Sequence, residues 1–364
     1  MDRPFPATHP EVSIVIPARN EEANVRACLE SLVAQDGVAF EIIVVDDQST
    51  DRTREIAQGI AGVEVISPPP LPPGWTGKNN AVVVGAARGR GEWLLFTDAD
   101  TVHLPGSLQR ALAEAKQYSA EMLSYSPEQI TVTFWEMAVL PVVFAELARQ
   151  YPPKVVSDPA SPVAAANGQY ILIRRDTYDA VGGHAAVADN LLEDVALARA
   201  VKRSGRKIRF RYAADAVSTR MYRDFSKLRE GWTKNLALLF PGPLSLAAKT
   251  LVLWAFAWGA FFYAVLGLRG EVAWWRLLFI FGPIALGARL RRANFDWVNE
   301  ALGAMFGMPM FAYLLLRSRS AHAGGNVPWK GRYYSDTPKL DGGGTAGGLH
   351  KQSATRTSGL ATEN

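Results

Sequence analysis

The sequence predicts an α/β fold, a mostly parallel and doubly wound sheet followed by apolar helices of membrane-spanning length. Short β-branched runs alternate with helical patterns through the first 240 residues, several of these runs end in carboxylates, and three long apolar runs follow from Thr250 onward. Strands that alternate with helices pack as a parallel sheet, and such a sheet binds its ligands outside the carboxyl ends of its strands.

The first and third strands are predicted from short β-branched runs. Residues 11–17 form a run that a proline stops, and a helical pattern follows over residues 21–33. Residues 63–66 form the third run. The chain therefore begins with a strand, a loop and a helix.

The second strand, residues 41–45, ends in the carboxylates Asp46 and Asp47. A helix is expected to follow, with Ser49 or Thr50 as its cap, because a hydroxyl at that position can accept from the first free backbone N–H groups.

The fourth strand runs into Asp98 and Asp100, which are spaced one residue apart. Side chains at i and i+2 share one face of a strand, so a strand ending here would direct both carboxylates to the same side. Two hard oxygen ligands suit a divalent metal that keeps its other positions for water and a phosphate. A polar turn, in which Asp is common, is the alternative that this spacing leaves open.

A loop rich in proline and glycine lies between the third and fourth strands. It excludes regular structure until about Asn79, where a helix can begin with Lys78 at its mouth. A lysine at a helix N-terminus opposes the helix dipole unless an anion lies between them. A pyrophosphate would be such an anion, and a solvated loop lysine is the alternative.

Residues 130–150 are mostly apolar but carry Glu136 and Glu146. The segment is too short and too charged to span a membrane, so we expect an interfacial or buried helix. A small-residue stretch at 163–170 leads into another strand at 171–173.

Glu193 and Asp194 open an amphipathic helix. Negative charge stabilises the first turn of a helix whatever its function, so this pair can be structural as well as catalytic. Basic and aromatic residues mix over 220–240, which is typical of a juxtamembrane anchor and equally of a segment that closes over an anionic leaving group.

The three apolar runs cover residues 250–268, 272–290 and 298–316. The first two are predicted to span the membrane, and the arginines at the end of the second would then return to the cytosol, as the positive-inside rule requires. The third carries Glu300 and an internal proline, so we expect it to be re-entrant or to lie along the surface. Residues 337–364 have a disordered composition.

Charge divides the chain in two. Residues 1–240 contain 26 basic and 29 acidic residues, net −3, whereas residues 241–364 contain 13 and 6, net +7. An acidic half fits a metal-using, phosphate-handling site, and a basic half with apolar runs fits a membrane. The soluble, aromatic-interleaved basic patch of a nucleic-acid binder is missing, so no nucleic-acid partner is expected.

Two further observations concern the compartment. Cys28 is the only cysteine, which excludes an internal disulfide, favours a reducing compartment and suggests a small buried helix residue. Residues 1–10 contain no apolar core of signal-peptide length, so we expect nothing to carry the first domain across a membrane.

Four acidic motifs, in order and in strand-loop contexts, resemble those of the inverting family-2-type glycosyltransferases, which use nucleotide sugars on a GT-A fold. The resemblance runs from about Val12 to Leu239. The motifs are Pro17-Ala18-Arg19-Asn20-Glu21, Asp46-Asp47-Gln48-Ser49-Thr50-Asp51, Asp98-Ala99-Asp100 and Glu193-Asp194.

The resemblance implies roles for these residues. Asp100 would bind Mg²⁺ or Mn²⁺ at the donor diphosphate, while Asp98 would touch the ribose or a metal-bound water. Asp194 would be the general base, with Glu193 as the alternative. The residues implied to bind the nucleotide sugar are Pro17, Arg19, Glu21, Asp47, Lys78 and Asp98.

The resemblance is greatest to lipid glycosyltransferases of carotenoid pathways, of the 4,4′-diaponeurosporenoate type, with hopanoid-associated enzymes as a related possibility. Processive polysaccharide synthases carry a Gln-x-x-Arg-Trp motif that this chain lacks. Trp232 would lie near the acceptor, and Arg229 and Lys234 would face phosphate or lipid headgroups. The resemblance resumes at residues 329–334.

We therefore expect a GT-A domain in residues 1–240, a membrane region of two to three apolar helices in 241–320, a cytosolic Trp-Lys-Gly-Arg segment in 321–336 and a disordered tail in 337–364. The expected activity is inverting transfer of one sugar from a UDP-sugar-like donor to a membrane lipid, at the inner membrane with the catalytic domain facing the cytoplasm. A polyprenyl-phosphate glycosyltransferase, a processive polysaccharide synthase and a non-catalytic membrane scaffold are the alternatives.

Overall fold

A seven-stranded sheet forms the centre of the computed structural model, which describes residues 9–267, 281–293, 295–325 and 327–334. The twelve strands are β1 Val12–Ala18, β2 Phe40–Asp46, β3 Val63–Ile66, β4 Trp93–Phe96, β5 Thr101–His103, β6 Met122–Ser126, β7 Glu128–Gln129, β8 Ile171–Arg174, β9 Ile208–Tyr212, β10 Val217–Thr219, β11 Val327–Trp329 and β12 Arg332–Tyr334.

The strands of the large sheet follow the order β3-β2-β1-β4-β8-β6-β9. All neighbours pair in parallel except β8, which is antiparallel to both β4 and β6. The prediction of a mostly parallel sheet is therefore confirmed. Strands β5, β10 and β7 form a small second sheet, and β11 with β12 forms a hairpin.

Thirteen α-helices surround these sheets in the described residues. They are α1 Val25–Val33, α2 Thr53–Gln58, α3 Gly77–Arg88, α4 Ser107–Gln117, α5 Phe134–Gln150, α6 Pro153–Ser157, α7 Arg175–Ala180, α8 Glu193–Arg203, α9 Phe225–Leu239, α10 Pro243–Gly267, α11 Phe281–Leu290, α12 Trp297–Leu302 and α13 Met308–Ala323.

Strand β1 is mostly apolar, with Ser13 as its one polar side chain, because helices cover both faces of the sheet. Ile14 packs on one side in a cluster with Leu29 of α1, and Val15 packs on the other side with Val82 of α3. All four side chains are fully buried or nearly so. A strand buried on both faces reads as a continuous apolar run, which is the pattern from which it was predicted.

The predicted cap of α2 was wrong, and the acidic pair adopts the turn that the sequence left open as the alternative. Helix α2 begins at Thr53, after Ser49 and Thr50, and the side chain of Asp51 accepts from the backbone N–H of Thr53 at 3.0 Å. Strand β4 ends at Phe96, so Asp98 and Asp100 lie in a turn, closed by a 3.2 Å bond from the Thr101 N–H to the Asp98 carbonyl. Their common direction is a property of this turn, not of strand alternation.

Two of the described helices are long and apolar enough to span a membrane. They are Pro243–Leu266, with 24 residues, and Trp297–Ala323, with 27. Only 17% of the most apolar stretch of the first is buried, against 50% of the second. The first part of the second predicted run, residues 272–280, lies outside the described residues. The remaining part, residues 281–290, forms α11. The tail 337–364 also lies outside the described residues.

The helix over Trp297–Ala323 lies along the α/β domain. Near its start the Asn299 amide donates to Thr131 at 3.1 Å, and near its end the His322 Nε2 lies 2.8 Å from the carbonyl of Lys234 in α9. One π-helical turn, Gly303–Gly307, lies just before the proline of this helix, and the helix continues through the turn without a break. That the third apolar run is re-entrant or lies along the membrane surface stays a prediction.

Candidate active site

A cavity of about 770 Å³ opens where β1, β2 and β4 end. It brings together residues that are far apart in the sequence. The predicted site residues that line it are Pro17, Arg19, Glu21, Asp47, Lys78, Asp98, Asp100, Glu193, Asp194, Trp232 and Lys234. A cavity of this size and mixed character is typical of small-molecule sites.

Arg229 is the one predicted site residue that does not line this cavity. It faces a neighbouring groove, together with Arg317 and Tyr333. Lys227, two residues earlier on α9, does face the cavity, and two residues rotate the side chain by about 200° around a helix. The expectation that Arg229 acts beside Trp232 and Lys234 is therefore corrected.

Asp100 is half-buried in the acidic turn, with its Oδ1 atom fully buried. One of its carboxylate oxygens, Oδ1, has no hydrogen-bond partner. Burial, together with the nearby charges of Asp98 and Glu21, raises the pKa of Asp100 to about 8. A buried carboxylate with a free oxygen beside a second carboxylate gains from a bound cation, so these residues fit a divalent metal.

The protein alone does not complete such a metal site. No group of three His, Cys, Asp or Glu side chains in the described part of the chain is placed to hold a metal ion. The remaining ligands would have to be water and substrate oxygens, an arrangement typical of Mg²⁺ at phosphate sites.

Lys78 links the acidic turn to α8. It is the second residue of α3, whose cap Thr76 accepts from the N–H of Asn79. Its Nζ lies 2.8 Å from Asp98 Oδ1 and 2.7 Å from Glu193 Oε1. Burial alone would lower the pKa of Lys78, but these two carboxylates outweigh it and hold the pKa well above its usual value. The predicted place of an anion at this lysine is thus filled by carboxylates of the protein.

Glu193 and Asp194 are adjacent in the first turn of α8 but differ in acidity. Burial would raise the pKa of Glu193, yet Lys78 and Lys234 outweigh it and lower the pKa to about 2. Burial and the charge of Glu193 raise the pKa of Asp194 to about 6. Asp194 also accepts from the backbone N–H of Gly168 at 2.9 Å, which fixes its orientation.

The side of the cavity at the ends of β1 and β2 contains Arg19, Glu21 and Asp47. The Arg19 Nη1 donates to the Asp47 carbonyl at 2.8 Å, across the ends of β1 and β2. Both carboxylates pair with residues of the C-terminal hairpin: Glu21 with Lys330, and Asp47 with Arg332.

The opposite side of the cavity is apolar. Its walls come mainly from α5 and α9 and from the loop before α8; they are Phe144, Leu147, Tyr151, Leu191, Leu192, Trp232 and Leu239. Lys234 lies at the inner end of this region, 4.6 Å above the ring of Trp329, and burial lowers its pKa. None of the described carboxylates lies within ion-pair distance of it.

No residue of the β11–β12 hairpin was among the site residues predicted from the sequence. Lys330 and Arg332 line the cavity through contacts across 309 and 285 residues of sequence. The available signal was the Trp-Lys-Gly-Arg run after the last apolar segment, a mixture of aromatic and basic residues that apolar helices do not require. This run indicated that the segment has a function, but it did not indicate where in the fold the segment lies.

Comparison with known proteins agrees with this geometry. Residues 13–181 match the family described as Glycosyl transferase family 2. The chain is 28% identical over 349 residues to the 4,4′-diaponeurosporenoate glycosyltransferase of Staphylococcus aureus (strain USA300), covering 90% of this chain and 89% of the relative. It is also 28% identical over 354 residues to the enzyme of the same name from strain MRSA252.

Among solved structures, the fold is similar to the mannosyltransferase PcManGT from Pyrobaculum calidifontis, solved in complex with GDP-Man and Mn²⁺. The TM-score is 0.51 at 15% sequence identity, and the match covers 88% of each chain. The predicted GT-A fold is confirmed by this likeness together with the family match.

Proposed function

We propose, from the match of residues 13–181 to the family described as Glycosyl transferase family 2, that the protein transfers a single sugar from a nucleotide-diphosphate sugar to a membrane lipid, with inversion at the anomeric carbon. The 28% identity to a carotenoid glycosyltransferase over 90% of the chain supports a lipid acceptor, such as a carotenoid or a hopanoid.

The observation that carries the proposal is the division of the cavity. One end is lined by Glu21, Asp47 and Asp100, where the parallel strands end, and the other end is walled by apolar side chains of α5 and α9. Asp194 lies where the two ends meet. A polar, charged donor and an apolar acceptor can thus occupy one cavity with a carboxyl group between them.

On the donor side, the nucleoside would lie against Pro17, Arg19 and Asp47. Asp100 would hold Mg²⁺ or Mn²⁺ through its free oxygen, and such an ion when bound supplies positive charge against the negative charge that develops on the leaving diphosphate.

Asp194 would act as the general base. Its raised pKa, about 6, lets the carboxylate accept a proton near neutral pH, whereas Glu193 is held as a strong acid by Lys78. The acceptor oxygen forms a bond to the anomeric carbon as the bond to the diphosphate breaks on the opposite face. The hydroxyl proton passes to Asp194, and the nucleoside diphosphate leaves. An acceptor carboxylate would react without this proton transfer.

On the acceptor side, Trp232 and the apolar walls would hold the lipid chain next to Asp194. Lys234 would face an anionic group of the acceptor, because its buried charge lacks a carboxylate partner among the described residues.

We also propose that the enzyme sits at the inner membrane with its catalytic domain in the cytoplasm. Apolar side chains of α10 such as Val252, Phe256 and Leu266 are 67%, 71% and 67% exposed, which suits contact with lipid. Arg289, in the last turn of α11, pairs with Glu146 of α5 at 2.8 Å, and Arg291 and Arg292 follow directly after this helix, so the basic end of α11 lies next to the α/β domain, as expected for a cytoplasmic face.

The direct test is turnover of nucleotide sugars by the full-length protein in lipid vesicles that contain a total lipid extract. UDP-glucose, UDP-GlcNAc and GDP-mannose would be offered with Mn²⁺, and release of the nucleoside diphosphate and new glycolipids would be measured. We expect release that depends on both lipid and Mn²⁺ and is lost in Asp100→Asn and Asp194→Asn. Turnover by both variants with the metal chelated would refute the mechanism.

A polyprenyl-phosphate glycosyltransferase is the second candidate, because the unpaired charge of Lys234 suits a phosphate as well as a carboxylate. Mass spectrometry of the product lipids separates the two. A glycosylated carotenoid or hopanoid supports the first proposal, and a sugar-phosphoryl-polyprenol supports the second.

A further inference from the structure

The C-terminal hairpin presents two cations to the donor side of the cavity. Trp329 pairs with Arg332 across β11 and β12, so Lys330 and Gly331 are the two loop residues of the hairpin. Their φ angles are +45° and +76°, which is the arrangement of a type I′ turn. The turn points into the cavity, where Lys330, Gly331 and Arg332 are lining residues.

Lysine is an unfavourable residue at the first position of such a turn. Asn, Asp and Gly adopt positive φ much more readily, because other side chains crowd the backbone there. The contacts of Lys330 hold it in this conformation: its N–H donates to Glu230 Oε1 at 3.0 Å, and its Nζ contacts both Glu21 and the Arg19 carbonyl at 3.2 Å. When side-chain contacts maintain a strained backbone conformation at a binding site, the side chain is a candidate for a function at that site.

Arg332 is held in an equally specific way. Its two terminal nitrogens donate to the two carboxylate oxygens of Asp47, at 2.5 and 3.0 Å. The guanidinium also packs against Gly77, the first residue of α3, where an added Cβ would collide with it. This bidentate geometry is the one with which arginine also binds phosphate.

The charge of the donor side requires these cations. Glu21, Asp47 and Asp100 would repel a diphosphate, and the charge of Lys78 is already matched by Asp98 and Glu193. Arg19 is the other cation beside Asp47, at 3.9 Å. Arg223 and Lys227 also line the cavity, but they contact Asn24 and Asp224 and none of these three acids. Lys330 and Arg332 are the cations that pair with Glu21 and Asp47 and that an incoming diphosphate can recruit from them.

We propose that Lys330 and Arg332 bind the diphosphate of the donor, and that their pairs with Glu21 and Asp47 hold the hairpin over the cavity until the donor arrives. This rests on the proposed function, because it takes a nucleoside-diphosphate donor as given. The hairpin residues are binding residues for the leaving group; the bond-making step takes place at Asp194.

The test is equilibrium binding to the full-length protein in detergent with Mn²⁺. The ligands are UDP, GDP and dTDP, their monophosphates and inorganic pyrophosphate. The variants are Lys330→Asn and Arg332→Gln. Asparagine suits the turn, so Lys330→Asn removes the charge and keeps the backbone conformation of the hairpin, and the melting temperature of each variant is measured beside its binding. Arg319→Met is the charge-matched control, since Arg319 is exposed on α13 and lies outside the cavity.

We expect both hairpin variants to bind the preferred nucleoside diphosphate and pyrophosphate about tenfold more weakly, with a loss of about twofold or less for the monophosphate. Arg319→Met should bind all ligands as the wild type does.

Two results would overturn the proposal. If both hairpin variants bind the diphosphate and pyrophosphate as the wild type does, the diphosphate contact is refuted, and the proposed function is not affected. An equal loss for mono- and diphosphate would move the contact to the nucleoside and would also overturn it. A wild-type protein that binds none of these nucleotides would instead refute the proposed function, and this inference with it.

Discussion

Two adjacent carboxyl groups at the start of α8 acquire different acidities because they face different neighbours. Glu193 faces Lys78 at 2.7 Å, whereas Asp194 faces the backbone N–H of Gly168 and the charge of Glu193. The acid pair was predicted from the sequence, but the assignment of its members was left open. The difference arises from a lysine 115 residues away in the chain, which no local pattern reports.

The pKa of Asp194 gives a pH dependence. A base must be deprotonated, so the turnover rate should rise with pH, tenfold per unit, up to about 6 and level off above it. Asp194→Asn should lower turnover by about 10² to 10⁴ fold at the plateau. Asp179→Asn, an exposed acid on α7, is the control. A rate that is flat from pH 5 to 8 would refute the base and would favour an acceptor carboxylate.

Removing Lys78 should destabilise the protein in a pH-dependent way. Lys78→Met leaves Asp98 and Glu193 without their partner; we expect a loss of up to about 3 kcal/mol, limited because Lys78 is 31% exposed. The pKa of Glu193 is about 2 in the folded protein, so its stabilisation is complete above the ordinary pKa near 4.5 and is lost as the pH falls.

The melting temperatures of Lys78→Met and wild type should therefore differ most above pH 5 and converge as the pH falls from about 4.5 to about 2. Lys154→Met, at an exposed lysine of α6, should melt as the wild type does at every pH. A difference that grows on acidification would contradict the role assigned to Lys78.

Helix α13 contacts the backbone of α9 at its centre. The hydroxyl of Ser318 donates to the Thr233 carbonyl at 2.6 Å and accepts from the Ala237 N–H at 2.9 Å. An α-helix pairs these two backbone groups with each other, so a side chain of one helix takes part in the hydrogen-bond ladder of the other. Lys234 lies within this turn, so the packing of α13 sets the direction of a residue of the cavity.

Ser318→Ala tests this contact. Alanine leaves the Ala237 N–H and the Thr233 carbonyl without their partner in a buried place, and we expect a loss of about 1 to 3 kcal/mol. Ser320→Ala, at an exposed serine on the same helix, should change stability by less than about 0.5 kcal/mol. Thermal unfolding of the purified variants in one detergent measures both. Equal melting temperatures would mean that the ladder closes without the serine.

Sequence patterns predicted the elements much better than their contacts. The third and fourth strands, the start of α8 and the approximate start of α3 follow from apolar runs, charges and breakers close to one another in the chain. The role of Ser318 does not follow from the sequence. A serine within an apolar run is seen only as a polar residue that interrupts the run, and the pattern does not indicate what the serine contacts. The cap of α2 was misassigned because the carboxylate of Asp51, and not the hydroxyl of Ser49 or Thr50, accepts from the backbone N–H of Thr53.

At the scale of the whole molecule, the last helix and the hairpin return the chain to its first domain. The sequence indicated a parallel sheet and a membrane region, and it gave neither the strand order nor the path of the chain after the apolar runs. Contacts such as that of Arg332 with Asp47 join residues 285 positions apart, and such pairing depends on the complete fold.

The position of the membrane can be tested by thiol labelling, because Cys28 is fully buried and gives little background. Tyr333, which is 74% exposed, becomes a marker for the domain side in Tyr333→Cys. A membrane-impermeant maleimide should label this variant in inverted membrane vesicles and leave it unlabelled in intact cells. Leu266→Cys, at the exposed end of α10, should be protected by lipid in both. Labelling of Tyr333→Cys in intact cells would reverse the proposed orientation.

The position of the hairpin in the chain also has a consequence for biosynthesis. Lys330 and Arg332 are synthesised after every apolar helix, so the donor side of the cavity receives these residues only when the membrane region has already been made. Under the proposed function, a nascent chain would carry a finished sheet and an unfinished pocket, and it would gain the ability to bind its donor only after it had reached the membrane that holds its acceptor.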